Sequence, residues 1–160
     1  MLFRSAHIES VIWDGNNASA GEFAGINRQL TTDADLPSAQ EVAGTTVTAS
    51  NVIAQLGSIL DACPARLYNH PDLTLYVSQN IYRAYVRALG GFGASGLGAA
   101  GVNAQGTNQQ LGDVFFDGVK VFVANGMDNN KAILTPSSNL HFATGLLSDL
   151  NQVKIGRAHV

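Results

Sequence analysis

The chain has 160 residues, 46% of them hydrophobic and only 13% charged, about half the roughly 25% usual for globular proteins. Nine basic against twelve acidic side chains leave a net charge of -3, which excludes a nucleic-acid binder working by simple charge attraction. A single cysteine, Cys63, excludes a disulfide framework within the chain and a thiolate-rich metal site, and no window approaches the run of about 18 apolar residues that a membrane helix needs.

In chain order, Leu2-Phe3-Arg4-Ser5 resembles the translation of a short-read sequencing adapter, so residues 1–5 are expected to be a foreign tail. Residues 6–47 show little periodicity and are expected to form lead-in strands and a loop. Within them Val11-Ile12-Trp13 is a short apolar run closed by the turn pair Asp14-Gly15, Phe23-Ala24-Gly25-Ile26 follows, and Thr32-Asp33-Ala34-Asp35 is an acidic turn. From residue 48 to 153 the pattern is that of one α/β unit. Val52, Ile53, Leu56, Ile59, Leu60 and Cys63 share one helical face, with Thr48 or Ser50 as N-cap and Pro64 as the stop. Leu73-Thr74-Leu75-Tyr76-Val77 reads as a strand, and Ser78 as the cap of a second helix, about Gln79 to Leu89, with an apolar stripe of Ile81, Tyr82, Tyr85 and Leu89. Gly90 suits its C-terminus.

Residues 88–112 carry no charged side chain over 25 positions and include eight glycines, which predicts a long loop of small residues in touch with neighbours. Val119-Lys120-Val121-Phe122-Val123 and Ala132-Ile133-Leu134-Thr135 read as two strands returning on each other like a hairpin, with Asp128-Asn129-Asn130 in the turn. Pro136-Ser137-Ser138-Asn139 is a further turn. The terminal Ile155-Gly156-Arg157-Ala158-His159-Val160 again resembles adapter sequence, so residues 154–160 are expected to be a second foreign tail. The natural part is then a piece of a longer gene.

Candidate chemistry is sparse. Gly91-Phe92-Gly93-Ala94-Ser95-Gly96 and Gly96-Leu97-Gly98-Ala99-Ala100-Gly101 both fit G-x-G-x-x-G, but a dinucleotide loop leaves a strand and opens a helix, whereas these follow a helix. His7, His70 and His141 lack paired ligand spacing. Ser78 and Ser95 sit in no nucleophile-elbow pattern. Asp113 and Asp117 flank Phe115-Phe116 as turn residues rather than a catalytic carboxylate pair, Cys63 is a small core residue, and Asn17-Ala18-Ser19 fits the glycosylation triplet. No catalytic residue, cofactor or metal is expected.

Several segments together resemble the axial domain of tailed-bacteriophage major capsid proteins, which share the Hong Kong 97 fold. They are Asn51-Val52-Ile53-Ala54-Gln55-Leu56, Leu73 to Ser78, Gly118-Val119-Lys120-Val121-Phe122-Val123-Ala124-Asn125-Gly126-Met127, and Ile133-Leu134-Thr135-Pro136-Ser137-Ser138-Asn139-Leu140-His141-Phe142-Ala143-Thr144-Gly145. Trp13-Asp14-Gly15 and Phe23-Ala24-Gly25-Ile26 resemble segments that precede this domain. Ala143 stands where glycine is frequent, and the family's N-terminal arm, extended loop and spine helix are not seen.

The resemblance implies an α+β fold, a central mixed sheet flanked by two helices with a long glycine-rich loop. It also implies a structural role: a coat subunit, not an enzyme, meeting identical copies in pentamers and hexamers of a virion shell, after residence in the host cytoplasm. Packaged DNA is then an indirect partner, and membranes and small-molecule ligands are not partners. The charge-free loop supplies the expected axis-facing contacts, Gly91, Phe92, Gly93, Ala94, Gly96, Leu97, Gly98 and Ala99. Two alternatives stand beside it, an α/β enzyme fragment holding a nucleotide on the glycine segment and a nanocompartment shell of the same fold.

Overall fold

The computed structural model describes residues 2–18, 22–90 and 114–141. Four strands form one mixed sheet in the order β2-β3-β1-β4, with β1 Leu73–Val77, β2 Val114–Phe116, β3 Val119–Val123 and β4 Ala132–Pro136. The earliest strand is therefore internal. It runs parallel to β3, with Leu75 opposite Val121, and antiparallel to β4, with Leu75 opposite Leu134. The two late strands do not return on each other as their adjacency in sequence suggests. The connection from Ala124 to Lys131 carries the chain across β1 to its other edge, and the Ser78 amide donates to the Lys131 carbonyl (3.0 Å) as β4 begins.

β2 and β3 do form a hairpin, closed by Asp117-Gly118. Both residues have positive φ (47° and 80°), as a two-residue hairpin turn of type I′ requires. Phe115 points away from the core and is exposed, while Phe116 lies against Tyr85 edge-on, with ring centroids 5.5 Å apart.

Alternation along the strands gives the sheet two faces. On the first, Leu73, Leu75, Val77, Val119 and Val121 meet helices α3 (Val52–Asp61) and α4 (Gln79–Gly90). Val52, Leu56 and Leu60 of α3 repeat every four residues and are buried, as are Ile81, Ala84 and Tyr85 of α4. Ile53 and Leu89, at the margins of those stripes, remain about half exposed (50% and 52%). Thus both helices cover the same face. On the second face Tyr76 packs between Trp13 and Phe122, at centroid distances of 5.4 and 5.6 Å, and Ala124 and Met127 complete a smaller core.

The lead-in differs from the strands expected of it. Residues Leu2–Asp14 form helix α1, which begins inside the segment read as a foreign tail, and Ile26–Thr32 form the short helix α2. Among the described residues of the lead-in, β pairing is limited to one bridge between Asn16 and Ala24. Val11-Ile12-Trp13 is compatible with a strand by residue type, but as part of a helix both Val11 and Trp13 are buried, Trp13 against Tyr76 on the second face. Residues 33–47 then run over the surface, interrupted by one short helical turn at Ser38–Gln40.

Candidate functional site

The densest arrangement of polar groups is the junction where α1 meets the Ala124–Lys131 connection. Glycines permit the approach. A Cβ on Gly126 would stand under 3.0 Å from the backbone of Glu9 and Ser10, and one on Gly25 would collide with the backbone at Trp13, Asp14 and Gly15. Trp13 is thereby inserted beside Tyr76, and the Gly25 amide donates to the Gly15 carbonyl at 2.8 Å.

Asp14 ends α1 at the centre of this junction, with 9% of its side chain exposed. Its Oδ1 accepts hydrogen bonds from Asn27 Nδ2 (2.8 Å) and Lys131 Nζ (2.5 Å), and its Oδ2 accepts from the Asp128 amide (2.7 Å). Lys131 Nζ also lies 3.3 Å from Asp128 Oδ2. Burial by itself would raise the Asp14 carboxyl. The donors from Lys131, Asp128 and Asn27, with the Lys131 charge, outweigh it and hold the carboxyl below its ordinary value. Burial would likewise lower the Lys131 ammonium, but Asp14 and Asp128 hold it above its ordinary value.

A second polar set adjoins the first. Asn130 has positive φ (64°), and its Oδ1 accepts from the Val47 amide (2.9 Å) and from Asn80 Nδ2 (2.8 Å). Asn80 Oδ1 in turn accepts from the Asn130 amide (3.0 Å) and from the fully buried Ser78 hydroxyl (2.7 Å). One connection therefore holds α1, the lead-in and α4 together. The polar groups of these sets are paired with one another, and Asp14, Asn27, Asn130 and Lys131 also border an open recess of about 2130 Å³ beside α2, α3 and β4.

The other candidates from the sequence are dispersed. His7 lies 3.6 Å from Glu22, and His70 Nδ1 accepts from the Asp72 amide at 3.3 Å. Asp72 takes the Ser137 hydroxyl and the Ser138 amide, which hold its carboxyl below the ordinary value and pin the turn after β4. Asp117 accepts from the Tyr68 hydroxyl at 2.9 Å. Cys63 is partly buried on α3's apolar side, and burial pushes its thiol up, away from a reactive thiolate. Among the described residues no three His, Cys, Asp or Glu side chains gather as a metal site, and no helix is long and apolar enough to cross a membrane.

Gly91, Phe92, Gly93, Ala94, Gly96, Leu97, Gly98 and Ala99, expected as axis-facing contacts, lie outside the described residues, as do Ser95 and Asp113. Sequence reasoning missed the Asp14 junction. Its available signal was the recurrence of glycine within two residues of aspartate or an aromatic residue at 13–15, 23–25 and 126–128. Comparison with protein-family models, with curated proteins and with solved structures finds no match.

Proposed function

We propose that the chain is a structural coat subunit of the tailed-phage type, which assembles with identical copies into a shell and carries out no catalysis in the part described. The observation that supports this most is where the capsid-like segments meet. Trp13-Asp14-Gly15, Phe23 to Ile26 and Gly126-Met127 are far apart in sequence, yet they converge on one junction whose polar groups are paired with one another. A coat subunit needs such segments for shape, whereas an enzyme needs groups left poised toward a substrate. Exposed aromatic surface on the second face, Phe115 and Phe122 (54% and 49% exposed), also suits a chain covered by neighbours.

The nucleotide-binding alternative is weakened by one placement. The glycine segment begins where α4 ends at Gly90, so it does not leave a strand as a phosphate loop does. A nanocompartment shell of the same fold would share the structural role. The deciding experiment is expression of the complete reading frame followed by electron microscopy of the purified product. Closed shells or capsomer-sized rings are expected. A monomer that binds ATP or NAD in calorimetry would overturn the reading.

A further inference from the structure

Two surface patches of opposite charge have no ion pair among the described residues. The first is the outer side of α4. Arg83 and Arg87 are four positions apart, so their side chains emerge one above the other, about 5–6 Å apart at Cβ. They line a shallow recess of about 600 Å³ together with Thr48, Gln79, Asn80 and Asn129. No acidic side chain lines it, and among the described residues neither arginine has an ion pair. In a chain with nine basic residues this pairing of two guanidinium groups is a local excess of positive charge.

The second patch is the strap that follows α2. From Asp33 to Gly44 every residue except Leu36 is exposed. Its hydrogen bonds are local: the Asp35 amide to Asp33 Oδ1, the Gln40 amide to the Pro37 carbonyl and the Glu41 amide to the Ser38 carbonyl. Only from Thr45 onward is it clipped to the body, through Gln55, Asn51 and Asn130. Asp33, Asp35 and Glu41 have no ion pair among the described residues. Asp33 and Asp35 are two positions apart, so their Cα atoms lie within about 7 Å, a span that matches the two arginines.

We infer that the Arg83–Arg87 face of α4 receives the Asp33–Asp35 strap of a second copy of this chain. The guanidinium fork suits a carboxylate better than any other group the chain offers. Asp33 lines a different recess from the one lined by the arginines. In a ring of copies the contact is head-to-tail, each copy offering its α4 face to one neighbour and its strap to the other. This inference rests on the coat-subunit reading and names the surfaces that join neighbouring copies.

The test uses the 160-residue chain with charge reversals at each patch: R83E/R87E, D33K/D35K and the four-fold combination. Sedimentation velocity at low and high salt reads the oligomer, and circular dichroism confirms that each variant is folded. The wild type is expected to self-associate, less so as salt rises. Each two-site variant is expected to associate at least about tenfold more weakly, because two like charges now meet. The four-fold variant is expected to recover. An equimolar mixture of the two weakened variants is also expected to recover, as complexes with equal numbers of each, since only alternating neighbours are complementary. If R83E/R87E disturbs folding, the single reversals R83E and D33K, both at exposed positions, give the same pattern of loss and rescue.

Unchanged association in the reversals, or loss without rescue, overturns the assignment of the surfaces. If the complete reading frame still forms shells in that event, the coat reading stands. A wild-type chain that stays monomeric overturns the inference, and absence of shells from the complete frame overturns the coat reading too. Loss of binding to a short DNA duplex by R83E/R87E, with oligomers unchanged, assigns the arginines to nucleic acid and also overturns it.

Discussion

Asp14 shows how one carboxylate can set the position of a helix. Its two oxygens are filled by a lysine and an amide of the Ala124–Lys131 connection and by an asparagine of α2. Replacing it with asparagine keeps the shape but removes the charge that Lys131 and the Asp128 amide are arranged around. Asp14→Asn is expected to cost about 2 kcal/mol, within the range for hydrogen bonds to charged groups. Because the folded carboxyl lies below its ordinary value of 3.8, its contribution is complete above that value and is lost as pH falls through the depressed one. Denaturant titrations over a pH series should therefore show the gap between wild type and Asp14→Asn widest near neutrality and closing below about pH 4. A gap independent of pH would show that shape, not charge, carries the effect. Trp13, the sole tryptophan, sits one residue away and reports the same event by fluorescence.

At the scale of elements, α1 is held to the sheet by a narrow contact. Gly126 lets the connection lie directly on the helix backbone at Glu9 and Ser10. Gly126→Ala puts a methyl group where only backbone atoms could yield, so about 1–3 kcal/mol of overpacking is expected. The emission of Trp13, 7% exposed when docked, should shift to the red as α1 is displaced, while the α3 and α4 packing stays intact in far-ultraviolet circular dichroism. The elements that pack on the first face, α3, β1, α4, β3 and β4, are legible in the sequence from their apolar spacing, although α3 starts behind Asn51 rather than Thr48 or Ser50 and ends at Asp61, ahead of Pro64. α1 is not. Its β-branched and aromatic end, Val11-Ile12-Trp13, fits either state, and its first turn falls in residues that read as foreign. The β2–β3 hairpin had a local signal in Asp117-Gly118, but Val114-Phe115-Phe116 is too short to show alternation. The Asp14 junction was hidden for another reason: its members come from residues 14, 27, 128 and 131, and only tertiary structure joins them.

For the whole molecule, the main core depends on the internal strand. Leu75 is fully buried, and its neighbours across the sheet are Val121 and Leu134. Leu75→Ala leaves a hole beneath both helices and is expected to destabilise the fold by about 2–5 kcal/mol. The loss should appear as one lowered transition by calorimetry and by circular dichroism; two separate transitions would show that the strands and helices unfold as independent units. The pairing of β4 with β1 rather than β3 is the other feature that local reading does not reach. Eight residues from Ala124 to Lys131 are enough for a return, and nothing in the β4 pattern distinguishes a partner next to it in sequence from one far behind.

Strand order also sets a timetable for synthesis. β1 leaves the ribosome well before either flanking strand, and its last partner, Pro136, emerges late. Until β3 arrives Leu73, Leu75 and Val77 have helices beside them but open hydrogen-bonding edges on both sides, and until β4 arrives one edge stays open, a state prone to pairing with the wrong chain. Each newly made chain passes through that exposed stage, so the yield of correctly folded protein should depend on how quickly translation covers the distance from β1 to β4.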